Sequence, residues 1–478
     1  MGAPALALAL ALAASTSAAS GGRAGRACTP QAMGAKADGR TIDTQAINAA
    51  IAGCAVVTFP PARYVTGTIR LRSDTRLVLA EGAVVLAAPT GHYDLPEPPP
   101  AAALACIEVG APYAPECQDY GHGRWADALI TGVNLTNVSI VGAGRFDGAG
   151  NLHQSCSAAE ASACPGCKLL ALQSVQGLEI AGVSFRNGGH FTFLLTNVWD
   201  VHMHDLDIAA ARDGIDLMGM RNVLAERLNI HGGGDDAFKF GSDWSLGRQL
   251  DSSNITLRDS ALSSGEDGSG LGCQCIQIGS ETSGNFEDIH FSNVSCSNAG
   301  KAGIGITSMD GANITGLTFK DISMRGTTEP IQVYVGARAW QRRPSPFVVG
   351  SISDLVFENI VATHVKGKPP SFAFDTNFTT TIDGQGVSAN VSVPHPIHGI
   401  HFSNLSIHYE GGGVAADATG LAVPYHNPND GGPRSSGKQC SGSHTHCRDL
   451  GLRPSYGLFL RQLRDSTFVS SQAICHSL

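Results

Sequence analysis

Asp213, Asp216, Asp235 and Asp236 are the residues whose type and spacing could do chemistry. They stand in two short segments, Ala211-Arg212-Asp213-Gly214-Ile215-Asp216 and Gly233-Gly234-Asp235-Asp236-Ala237-Phe238-Lys239-Phe240. Each segment follows a run with strand-like alternation, Val201–Ile208 and Val223–Ile230. If those runs are equivalent strands of stacked repeats, the acidic segments lie one above the other and their carboxylates converge. Like charges held that close raise at least one pKa, which sets a protonated acid beside an ionised base. Hydrolysis of a glycosidic bond requires such a pair. The competing reading is that these aspartates only bond the backbone of turns.

The elements that must position them recur along the chain. Leu178–Phe185, Val201–Ile208, Val223–Ile230, Ile255–Leu262, Ile289–Cys296, Ile314–Ile322, Leu355–Ile360 and Ile400–Ile407 share one pattern, most of them preceded by Asn, Asp or Gly. Their tightest spacing, about 22–25 residues, is the length of one solenoid coil. Apolar residues alternate with polar ones, and no long amphipathic helical pattern separates the runs, so βαβ units are not expected. The fold class implied is all-β, a right-handed parallel β-helix in which stacking makes one continuous core. Asp43–Ala52 has a helical apolar period, with Asp43 or Thr44 placed to cap it. That helix would cover the open end of the solenoid.

The expected organisation is a leader at residues 1–20, a cap with first coils at 28–90, and a β-helix at 91–470. Long loops fall near 91–123 and 424–448, and loops of that length in a compact domain are often functional walls. Ala3–Ala14 is almost wholly Ala and Leu, with small residues at Ser17-Ala18-Ala19, which reads as a secretory signal and predicts a secreted protein. The thirteen cysteines fit export. Cys28 and Cys54 could staple the N-terminal segment, while Cys106 with Cys117 and Cys440 with Cys447 have local disulfide spacing. Cys164-Pro-Gly-Cys167 reads as a loop disulfide rather than a zinc or redox motif. An odd count leaves at least one cysteine free or intermolecular.

Sequons at Asn134, Asn137, Asn254, Asn293, Asn313, Asn377, Asn390 and Asn404 could carry glycans in a eukaryotic source. The same tripeptides also fit a turn followed by a strand. Aromatics at 6% and the 58 glycines suit a turn-rich β protein. The net charge of −9, with no basic stripe, argues against nucleic acid as partner. The apolar leader is too short to span a membrane, so no membrane partner is expected. Any anionic substrate must be held by local Arg or Lys rather than by the overall field.

The chain resembles the polygalacturonase family, glycoside hydrolase family 28. The opening run from Gly34 to Ile47 followed by Cys54, and the run from Ala128 to Asn134 continued by Val138 to Gly148, are similar to the family's. Asp213-Gly214-Ile215-Asp216 matches the end of its N-T-D-G-x-D segment, and Gly234-Asp235-Asp236 its G-D-D segment. Gly241–Gly247, Ile278–Glu281 and Gly336-Ala337-Arg338 look like a bacterial-type branch with exo-acting and rhamnogalacturonan-related members. The departures are as informative. Ala211-Arg212 stands where the family has Asn-Thr, Gln274 where it has the histidine of G-H-G, and Gly305-Ile306-Thr307 where it has R-I-K.

The resemblance implies Asp235 as general acid and Asp213 and Asp236 as water-activating bases. That is the inverting arrangement, with carboxyls roughly 6.5–9.5 Å apart. Adjacent Asp235 and Asp236 normally point to opposite sides of a strand, so for both to face the cleft the chain must bulge or turn, and Gly232-Gly233-Gly234 would permit that. Asp216 is a supporting residue or a turn cap. Arg212, Lys239, Gln274 and Arg338 are the substrate-binding candidates, with Arg338 the stronger candidate for an anionic group. Each has a bland alternative: an ion pair for Arg212, a ladder amide for Gln274. His190 and His231 lie near the site in sequence without metal-ligand spacing, and Trp244 and Tyr456 are as suited to the core as to stacking on a sugar.

The function expected is a secreted, monomeric glycosidase acting on an acidic plant- or algal-type cell-wall polysaccharide, galacturonan or rhamnogalacturonan, with no metal or cofactor. A β-helix polysaccharide lyase or uronate epimerase is the first alternative, and a non-catalytic polysaccharide-binding protein the second.

Overall fold

The computed structural model describes residues 25–97, 120–154, 166–265, 272–327, 329–335, 350–365, 372–375, 378–384, 387–393, 397–409, 459–460 and 464–475. These residues form a right-handed parallel β-helix. The strands that carry the site are β1 (Phe191–Thr196), β2 (Trp199–Ala209), β3 (Asp213–Met218), β4 (Arg221–His231), β5 (Phe238–Ser242), β6 (Ser252–Ser263), β7 (Ile276–Thr282), β8 (Phe286–Ser297) and β9 (Ala302–Ser308). Short strands β1, β3, β5, β7 and β9 stack in parallel as one face. Longer strands β2, β4, β6 and β8 stack as another.

The expected repeat runs fall in register. Val201 pairs with Val223, Val223 with Ile255 and Ile255 with Ile289, and all four are buried. A β-strand sends alternate side chains to opposite faces, so this register gives an inward aliphatic column. Phe291, Phe319, Phe357 and Phe402 form a second column, stacked with centroids 4.7, 5.0 and 4.8 Å apart. Each buried Phe contributes roughly 1.5–3 kcal/mol by leaving water. One coil alone has no opposite wall to bury such rings against; the stack supplies it.

Asn and Asp residues turn the coils. Asn222, Asn254, Asn293, Asn359 and Asn404 all have φ between 51° and 57°, a region that Asn tolerates better than other side chains. Their amides also bond from coil to coil: Asn254 Nδ2 donates to Asn222 Oδ1 at 2.9 Å, and Asn404 Nδ2 to Asn359 Oδ1 at 3.0 Å. The sequon asparagines 254, 293 and 404 therefore serve the turn-then-strand role that their tripeptides suggested. Asn377 and Asn390 have no described side chains. Asn359→Ala should cost about 1–2 kcal/mol, read from the urea midpoint, because it loses both the left-handed tolerance and its amide bonds. Asn359→Gly should cost less; an equal loss would show that φ contributes nothing there.

Helix α1 (Thr44–Gly53) presents Ile47, Ala50 and Ile51 to the first coils. Asp43 occupies the N-cap position, but neither it nor Thr44 caps the helix as expected. The Asp43 carboxylate accepts the backbone N–H groups of Lys36 and Ala37 at 2.7 and 2.9 Å, and Thr44 Oγ1 accepts that of Gly67 at 2.7 Å. Both side chains tie the helix to neighbouring loops, which offer better-placed donors than the helix end.

Cys28 is bonded to Cys54, as the spacing suggested, and Cys275 to Cys296. Cys167 is disulfide-bonded, and Cys273 is a buried free thiol. Cys106, Cys117, Cys440, Cys447, the centre of the first long loop and all of the second lie outside the described residues. Among the described residues no helix is long and apolar enough to cross a membrane.

Candidate active site

The two acidic segments lie on adjacent coils, brought there by the pairing of β2 with β4 and of β3 with β5. The Gly214 N–H donates to the Asp236 carbonyl at 2.9 Å, and the Ala237 N–H to the Gln274 carbonyl at 2.9 Å. Asp213 opens β3, while Asp235 and Asp236 precede β5. The chain turns there, one of the two expected ways: Gly232 and Gly233, between β4 and β5, have φ of 57° and 138°. A Cβ at Gly233 would lie 2.1 Å from the Arg212 carbonyl oxygen, so the turn admits glycine there. It breaks strand alternation and lets Asp235 and Asp236 face one cluster.

Arg212 sits at the centre of that cluster. Its guanidinium donates to Asp213 Oδ2 at 2.7 Å, to Asp235 Oδ2 at 2.7 Å and to His190 Nε2 at 2.7 Å. His190 Nδ1 lies 3.0 Å from the Gln154 carbonyl and donates to it, which leaves Nε2 as the acceptor of a neutral ring. The backbone N–H of Asp236 donates to Asp213 Oδ1 at 3.3 Å, and that of Gln274 to Asp236 Oδ1 at 2.8 Å. Gln274 thus reaches the carboxylates through its backbone. Asp213 and Asp236 are buried, whereas the Asp235 side chain keeps 20% exposure and that of Arg212 26%.

The three carboxyls differ in their hold on a proton. Burial raises Asp213 well above the usual range; Arg212 opposes this and the charges of Asp235 and Asp216 add to it. Asp236 is pushed to about 7 by burial and by Asp235, against Lys301 and Lys239. At Asp235 burial is outweighed by Arg212, Lys301 and a hydrogen bond with the Cys273 thiol, so its pKa is lowered. The family pattern puts the acid's proton on Asp235. Arg212 favours the ionised form of Asp235, while burial favours the protonated forms of Asp213 and Asp236.

A second charged group lies on the same face. Asp216 and Lys239 are register partners, 3.7 Å apart from Oδ2 to Nζ, and Lys239 also pairs with Glu281 at 3.2 Å. Asp216 is fully buried within β3 rather than in a turn. Lys239, expected to grip substrate, is 7% exposed and held by these carboxylates. His122 completes the group: Nδ1 is 2.8 Å from Asp243 and Nε2 is 3.4 Å from Asp216. Burial and Lys239 disfavour its charge, but Asp216 and Asp243 prevail and raise its pKa to about 10. The two aspartates on either side of the buried ring thus favour its charged form.

Sequence reasoning missed His122, Asp243, Glu281, Cys273 and Lys301. Its candidates are not all here: Arg338 and Tyr456 lie outside the described residues, and His231 pairs with Asp207 at 3.1 Å on the exposed outer side of β4. Trp244 is buried. Asp235, Asp236 and Cys273 each bring one ligand-type atom within 4.8 Å of the others. Burial and the charge of Asp235 raise the Cys273 pKa, so its sulfur is a hydrogen-bond donor to Asp235 rather than a thiolate ligand.

The family model for glycosyl hydrolases family 28 matches residues 116–409. The chain belongs to that family. It is a glycoside hydrolase, which sets aside the lyase and epimerase readings. No curated protein matches in sequence. Among solved structures, this family 28 chain is similar to the family 28 exopolygalacturonase of Yersinia enterocolitica, at 18% identity and TM-score 0.59, over 80% of this chain and 72% of that one. It is similar to the hyperthermoactive exopolygalacturonase of Thermotoga maritima at 16% identity and TM-score 0.60, over 80% and 87%. The polygalacturonase of Erwinia carotovora ssp. carotovora matches at 19% and TM-score 0.52, over 76% and 90%. At such identities the likeness is one of fold.

Proposed function

We propose that this chain is a secreted hydrolase of an acidic, pectin-like cell-wall polysaccharide. The observation that carries the reading is the convergence of Asp213 and Asp235 from adjacent coils on one arginine, with Asp236 beside them, its backbone N–H bonded to Asp213. Asp235, the more exposed carboxyl, delivers a proton to the glycosidic oxygen. Asp213 and Asp236 take a proton from the attacking water, which adds to the anomeric carbon with inversion. Arg212 meets the substrate's charge, and Arg338 is the further candidate for that role. The supporting relatives are named as polygalacturonases.

One observation favours retention instead. Single oxygens of Asp235 and Asp236 lie within 4.8 Å, nearer the separation of roughly 5–5.5 Å used by retaining enzymes. The test is incubation with polygalacturonan and with rhamnogalacturonan. New reducing ends without ultraviolet-absorbing unsaturated products are expected, and proton NMR of the first-formed anomer is expected to show inversion. Unsaturated products would overturn hydrolysis, and a retained anomer would move the mechanism to the second reading.

A further inference from the structure

Arg212 departs from the family pattern, and it bonds one oxygen of the Asp235 carboxylate. Its guanidinium lies 2.7 Å from Oδ2 of Asp235 and 2.7 Å from Oδ2 of Asp213. A carboxylate that accepts a charge-assisted bond from arginine is a poor proton donor until that bond is broken. We propose that Arg212 is the specificity-determining residue of this site: it caps Asp235 in the empty enzyme, and the carboxylate of a bound uronate residue takes the guanidinium over, freeing Asp235 to protonate the leaving oxygen. The inference rests on the hydrolase reading with Asp235 as acid.

The surroundings suit a movable arginine. Its side chain is 26% exposed, so an anion arriving from solvent can reach it. A further acceptor, His190 Nε2, takes a hydrogen bond from the same guanidinium at 2.7 Å. The groups facing Asp235 are Arg212 and Asp213 from the turn into β3, Asp236 and Lys239 from its own run, and Cys273 and Lys301 from later coils. When Arg212 swings to the substrate, Asp235 loses its strongest cationic partner. The proton held by the neighbouring Asp236 can then pass to Asp235, within 4.8 Å, leaving Asp236 ionised as the base. One proton changes place, so a single movement arms both acid and base. During cleavage that proton goes to the glycosidic oxygen as the C–O bond breaks. The attacking water gives its oxygen to the sugar and one proton to the base, which restores the resting count.

The experiment compares polygalacturonan with its fully methyl-esterified, neutral form on wild type, Arg212→Gln and Arg212→Lys, with a thermal melt for each to confirm folding. Wild type should prefer the acidic polymer by at least about tenfold in kcat/KM, and Arg212→Gln should lose on the acidic polymer yet gain at least about threefold on the neutral one. Arg212→Lys should keep part of the acidic preference. Opposite changes on the two polymers are the signature of a cap. A loss on the acidic polymer alone would make Arg212 an ordinary carboxylate-binding residue, and equal losses on both would make it structural; either overturns the inference. No reducing ends from wild type with these polymers or with rhamnogalacturonan would remove the pectin-hydrolase reading, and this inference with it.

Discussion

Asp235→Asn should lower hydrolysis of the polysaccharide by about 10²–10⁴-fold, the usual contribution of a positioned general acid. Folding should be unaffected. The substitution leaves Arg212 bonded to Asp213 but weakens its ion pair with Asp235, so the thermal midpoint should fall modestly while the melt stays cooperative. The diagnostic comparison is with an aryl galacturonide bearing an acidic leaving group. Such a leaving group departs without protonation, so Asp235→Asn should lose much less activity on it than on the polymer. Asp236→Asn, as a base variant, should be impaired on both. If leaving-group dependence appears in Asp236→Asn and not in Asp235→Asn, the proton comes from Asp236, as the empty site's electrostatics would have it, and the assigned roles exchange.

His122→Leu should destabilise the protein by about 3–5 kcal/mol, because it strands buried carboxylates at Asp216 and Asp243. The effect should depend on pH in a defined direction. The folded-state pKa of His122, about 10, lies above the ordinary histidine value of 6.5. Its stabilisation is therefore fully present below about pH 6.5 and is lost as pH rises through about 10. Urea midpoints of wild type and variant should be far apart at pH 6 and converge toward pH 10. A gap that is constant across that range would mean that the imidazole acts by packing rather than by charge. Adding Asp216→Asn and Asp243→Asn to His122→Leu should recover part of the loss, since the uncompensated charges go with them.

The sequence carried the fold because a β-helix is built from local repetition. The same alternation recurs in Val201–Ile208 and Val223–Ile230, and an Asn or Asp precedes most runs, so strand, turn and register all follow from short windows. For the same reason Asp213, Asp235 and Asp236 were legible as a cluster: one coil of separation in sequence is one strand spacing in space. Gly232 and Gly233 were legible too, since two adjacent carboxylates cannot share a side unless the chain bulges or turns.

What escaped the sequence was whatever crosses coils without repeating. His122 precedes the coils of the site and meets Asp216 and Asp243 far along the chain, and no spacing rule connects them. Lys239 read as a free cation because Glu281 comes a full coil later. Arg212 stood next to Asp213 in the chain, and a hand on substrate or on that carboxyl were equally open. The sequence by itself determined the solenoid and which carboxylates share a face, because both depend on a periodicity that each coil repeats. The tertiary structure alone decided how charge is distributed among them, because proton affinity depends on burial and on partners a few ångströms away, and those partners come from coils that the sequence separates.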